Sequence, residues 1–278
     1  MNNVGLNNVG LNKVGLNEDG VSEDRTSDGG APIKRVRWYD LIAPQAVGLG
    51  VPLLVLLVLM AIWARQGRTA VGIAQLQAWL GSFTGLNLLL DFSNLFILGF
   101  AFWTLSRVTD PRLPARFRAL SREGVLIGVA AGFGAVVVSA AVEYLSDRYL
   151  HTNLGRDGLA IVVLPHRVDQ LALGLFTVAI LAPLSEEIYF RGIVLGWLQR
   201  HWGIVWAVVL SSLVFGILHL KWLTPGGTGG MVATAELVAM GVLLALIAVR
   251  TGSLWASVIT HGVNNLCAAL VAVFLAHF

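Results

Sequence analysis

Residues Val168 to Arg191 read VDQLALGLFTVAILAPLSEEIYFR, an apolar run that closes on two adjacent glutamates and an arginine. A membrane span needs roughly 20 apolar residues, and this run supplies them. Ionisable groups in hydrocarbon are costly and mark a functional site facing a bundle interior or a water-filled cavity. Two further clusters lie in later apolar runs, Phe215 with His219 and His261 with Asn265. Between them the three clusters hold acids, imidazoles and an amide, the parts of a hydrolytic site.

The rest of the chain fits this reading. It has 278 residues, 56% hydrophobic and 13% charged, with a mean hydropathy of +0.75. Ordinary soluble domains carry roughly 25% charged residues, so an integral membrane protein is expected. The net charge is +3 and the isoelectric point about 9.3, but the basic residues lie mostly in short loops between apolar runs. Topology accounts for them better than a nucleic-acid partner, and none is expected. Cys267 is the one cysteine, which excludes an intrachain disulfide and a multi-thiolate metal site.

Three regions follow from composition. Residues 1–33 hold the tandem repeat NNVGL-NNVGL-NKVGL and an acidic, polar run; such a tract buries too little apolar surface to offset its ordering entropy and is expected to be disordered. Residues 34–167 hold N-terminal spans and loops, and residues 168–278 a helical core with the three clusters. About seven spans are predicted, near 42–64, 86–106, 124–145, 168–190, 203–220, 231–249 and 254–276, with a shorter interfacial helix between Thr69 and Gly85. Lys34, Arg35 and Arg37 precede the first span. Placing them in the cytoplasm puts the Arg107–Arg122 loop, with its five arginines, on the same side, together with Arg200 and Arg250. The expectation is an all-helical, multi-pass protein of the cell membrane with a cytoplasmic N-terminus and its site inside the last four helices.

Helical spacing assigns faces to the clusters. Glu187 and Arg191 stand at i and i+4, acid first, the favourable order for an ion pair. Glu186 points about a hundred degrees away, so the two carboxylates need not share a job. A turn between Gln199 and Gly203 is equidistant from Glu186 and His219, about 24 Å along each antiparallel helix, and sets them at one depth. Phe215 lies one turn before His219 and should pack beside its ring. His261 and Asn265 share a face, where the amide can fix the imidazole tautomer or donate to an oxyanion. Asp91, Asn94, Glu143, Glu236 and Asn264 have no evident partners and read as polar glue between helices.

The ordered pattern EExxxR, FxxxH and HxxxN resembles the CAAX-protease and bacteriocin-processing family, also called the Abi family, whose eukaryotic relatives are type II CAAX prenyl endopeptidases. The resemblance covers roughly Asp169 to Leu270 and includes the turn at Arg250–Trp255. It implies an endopeptidase that cleaves a membrane-associated peptide or protein. In that scheme Glu186 is the general base, His219 holds the water, His261 and Asn265 stabilise the oxyanion, and Glu187, Arg191 and Phe215 support them. No cofactor is expected. The chain lacks HExxH, although a zinc ion on Glu186, His219 and His261 is a chemical alternative. A proton-coupled transporter would use the same buried groups, but no repeat relates the halves of the chain. A catalytically silent scaffold is a third reading.

Overall fold

A computed structural model describes residues 33–80, 82–110, 121–152, 168–219, 221–223 and 227–277. The repeat-bearing tail therefore lies outside the described residues, apart from Ile33, as does most of the arginine-rich loop. The described chain is all-helical. Helices α1 (Trp38–Arg65), α2 (Thr69–Leu80), α3 (Phe83–Arg107) and α4 (Arg122–Leu150) come first. Serines begin two of them, Ser82 accepting from the Gly85 N–H at 3.1 Å and Ser121 from the Gly124 N–H at 3.0 Å; these satisfy donors that a helix start leaves unpaired.

The predicted span at 168–190 is not a uniform helix. It runs through α5 (Val168–Phe176), a π-turn at Thr177–Leu181, the short α6 (Ala182–Glu187) and a second π-turn at Ile188–Val194. Pro183 has no N–H for an upstream carbonyl, and π-turns recur at functional sites. Then α7 (Leu195–Leu218) breaks at Gly203, with φ +79°, a value glycine adopts without steric cost. Helices α8 (Thr228–Thr251) and α9 (Leu254–His277) complete the order.

Among the described residues six helical runs are long and apolar enough to cross a membrane, the fourth being the 51-residue Val168–Leu218. That run doubles back at Gly203 and accounts for two of the seven expected crossings. The protein is a multi-pass helical membrane protein. Leucine, valine and phenylalanine side chains cover its outside, with Leu126 70% and Val137 69% exposed, whereas Glu187 and Arg191 are buried to 0% and 1%.

Small residues set the helix contacts around the core. A Cβ on Gly132 would stand 2.7 Å from Val263 Cβ, and one on Gly128 2.9 Å from the Ala256 carbonyl oxygen, so α4 and α9 run parallel in close contact. A Cβ on Gly216 would collide with Val238 Cγ2, and one on Gly241 would meet Ser212 Cα at 3.0 Å. These approaches bring α7 against α8.

Candidate functional site

Arg191 and Glu187 form the buried base of the site. Arg191 Nε lies 3.2 Å from Glu187 Oε2, the i, i+4 pair expected from the spacing. Arg191 Nη2 donates to the Gly241 carbonyl at 3.2 Å, tying the pair to α8. Its guanidinium carbon sits 4.7 Å from the centre of the Phe215 ring, a cation–π contact. Phe215 is fully buried and packs edge-on against Phe190 at 5.1 Å and His261 at 5.9 Å, and tilted against His219 at 4.6 Å.

Glu186 faces elsewhere, as the helical spacing predicted. Its Oε2 lies 3.7 Å from His219 Nε2 and 3.9 Å from His261 Nε2. That oxygen is buried and accepts no hydrogen bond. The side chains of Glu186 and His219 remain 24% and 28% exposed, so the pocket has an open edge, whereas His261 is held at 6%. His219 ends α7, where its Nδ1 donates to the Phe215 carbonyl at 2.7 Å. A carbonyl only accepts, so Nδ1 carries the hydrogen and Nε2 is left to face Glu186.

His261 touches both acids. Its Nδ1 stands 3.2 Å from Glu187 Oε1, while its Nε2 is turned to Glu186. Sequence spacing gave Glu187 to Arg191 and left His261 to Asn265. The Glu187–His261 contact joins helices far apart in the chain, and no local pattern announces it.

Asn265 is placed differently from the expectation. Its Nδ2 donates to the Val178 carbonyl at 2.9 Å, and its Oδ1 accepts from Asn264 Nδ2 at 3.2 Å. The amide is thus engaged with the first π-turn, where a Cβ on Gly262 would also stand 2.7 Å from the Ala179 oxygen. Asn94, set aside as helix glue, has a partner: Ser185 Oγ donates to Asn94 Oδ1 at 2.7 Å.

Among the described residues no group of three His, Cys, Asp or Glu side chains is arranged to hold a metal ion. Glu186, His219 and His261 supply donor types that suit zinc. Tetrahedral ligands at about 2.0–2.1 Å from zinc stand roughly 3.3–3.4 Å apart, closer than the 3.7 and 3.9 Å found here.

Residues 168–267 match the family model described as Type II CAAX prenyl endopeptidase Rce1-like. This segment is similar to the core of that family. All three motif clusters fall inside it, and α1 to α4 fall outside. Among curated proteins the chain is similar to "Putative membrane peptidase YdiL" of Bacillus subtilis (strain 168), 27% identical over 137 residues, 49% of this chain and 51% of that protein. It is also similar to an "Uncharacterized 24.3 kDa protein" of Escherichia coli, 31% identical over 96 residues, 34% of this chain and 42% of that protein. The chain spans about half the length of these relatives. No solved structure matches it.

Proposed function

We propose that the protein is an intramembrane endopeptidase that hydrolyses a peptide bond in a membrane-associated peptide or protein, using side chains alone. One observation carries this reading: a single buried carboxylate oxygen of Glu186 faces the Nε2 atoms of two histidines from two other helices, at 3.7 and 3.9 Å.

A water beside Glu186 Oε2 can donate one hydrogen bond to that carboxylate and the other to His219 Nε2, leaving a lone pair for the scissile carbonyl carbon. Glu186 takes the proton as the water attacks, the role of a general base, and passes it to the leaving amine. His261 faces the same Glu186 oxygen, with Nδ1 anchored on Glu187. With one hydrogen on Nδ1, His261 donates from Nε2 only as the imidazolium, whose Nε2–H would point at the oxygen on which negative charge gathers; a preorganised donor in a water-poor site stabilises that charge strongly. Arg191 balances Glu187 below the reacting groups.

The arginine-rich stretch 107–122 and Lys34 to Arg37 support an orientation with the N-terminus in the cytoplasm of a cell-membrane protein. The substrate is then a peptide anchored in the same bilayer.

The test uses the full chain in liposomes with an internally quenched peptide carrying a lipid anchor. Wild-type protein cleaves the probe and Glu186→Ala does not. Equal cleavage by both would refute the assignment of the base.

A further inference from the structure

The helix that carries Glu186 is a weak support by itself. It has π-turns on both sides, at Thr177–Leu181 and Ile188–Val194, and Pro183 within the short α6. Regular helix hydrogen bonding therefore does not fix the rotation of residues 182–187 relative to α5 and α7. That rotation decides whether Glu186 faces the two imidazoles. Side chains on either side of Glu186 must hold it.

On one side Glu187 is held by Arg191 and His261. On the other, Ser185 is completely buried, and its hydroxyl meets Asn94 Oδ1 on α3 at 2.7 Å. Gln170 Nε2 to Thr84 Oγ1 at 3.4 Å continues the same line along α3. These contacts ascend together in both segments, so α3 lies parallel to the whole stretch from α5 to α6. Ser185 has a second acceptor, the Ala182 carbonyl at 3.0 Å, but that bond lies within its own helix and fixes nothing relative to α3.

We propose that Asn94 is a positioning residue for Glu186, acting through Ser185, and that the working catalytic unit extends beyond the family-matched core to include α3. The proposal rests on the reading of Glu186 as the general base. If Asn94 is removed, the Ser185 hydroxyl turns to Ala182 and stays hydrogen-bonded. The fold then loses little, while the tie that sets the angle of Glu186 is gone.

The experiment compares wild type, Asn94→Ala, Asn94→Leu, Ser185→Ala, Ser185→Thr and the double variant Asn94→Ala/Ser185→Ala as full chains in liposomes. Thermal unfolding selects the folded ones. A hydrophobic carbodiimide labels Glu186, read by peptide mass spectrometry with Glu186→Gln as the blank, and the quenched lipid-anchored peptide gives kcat and KM. Labelling of Glu186 should rise about fivefold in Ser185→Ala and in each folded Asn94 variant as its buried oxygen swings out. On the probe, kcat should fall about tenfold with KM little changed. Ser185→Thr should behave as wild type, and the double variant should match the single variants. Wild-type labelling in folded Ser185→Ala, or a double variant whose effect is the product of the singles, overturns the proposal. A wild type that fails to cleave the probe would count against the proteolytic reading, and the labelling would still decide the role of Asn94.

Discussion

Glu187 Oε1 and His261 Nδ1 stand 3.2 Å apart although 74 residues separate them in the chain. The carboxylate can only accept, so the ring hydrogen sits on Nδ1 and the other nitrogen is directed at Glu186. One acid thereby sets the orientation of an imidazole that meets a second acid. Glu187 belongs to the site and is more than a brace for its own helix.

Glu187→Ala should destabilise the protein as well as inactivate it. The fully buried Arg191 would lose its carboxylate partner, and breaking a buried pair from one side costs about 3–5 kcal/mol. Thermal unfolding in detergent and the yield of folded protein would report this. An unchanged midpoint would mean that Arg191 finds another anion.

Glu186→Ala should behave in the opposite way. The carboxylate oxygen it removes accepts no hydrogen bond, so the midpoint should stay at or above that of wild type while probe hydrolysis disappears. His219→Ala should lower kcat by about a hundred- to ten-thousandfold, the usual worth of a positioned proton-transfer partner. Single-turnover hydrolysis of the quenched peptide measures both.

Asn265→Ala separates two roles for one amide. With Nδ2 bound to the Val178 carbonyl, its loss leaves a part-buried acceptor unpaired and should cost about 1–3 kcal/mol. If Asn265 acted solely on an oxyanion, unfolding would be unaffected and kcat alone would fall. Unfolding and kinetics on the same preparations distinguish these outcomes.

Prolonged chelation should leave probe hydrolysis unchanged, and the purified protein should hold no stoichiometric zinc by elemental analysis. Activity lost with a bound metal and regained with added zinc would transfer Glu186, His219 and His261 from acid–base work to ligation.

The sequence resolves the site unevenly, for physical reasons. Helical period placed Glu187 over Arg191 and Phe215 beside His219, and symmetry about the Gly203 turn placed Glu186 level with His219, because these relations depend on local geometry and one antiparallel pairing. The contact of His261 with Glu187, the engagement of Asn265 with Val178 and that of Ser185 with Asn94 depend on which helices become neighbours. Hydropathy is nearly uniform around apolar spans and does not carry that information. The π-turns escaped for a similar reason: an apolar run with one proline reads as a bent helix, whereas the widened turns arise from packing against α3 and α9.

The parallel contact of α4 with α9 at Gly128 and Gly132 also gives the protein a schedule. These glycines precede their partners by about half of the helical chain, so during synthesis α4 enters the bilayer long before the surface it fits. A nascent chain that has passed α7 already holds Glu186 and His219. His261 arrives only with α9, when the waiting face of α4 receives it. On the proposed mechanism the site is therefore completed late, and a growing chain in the insertion machinery carries Glu186 and His219 without His261.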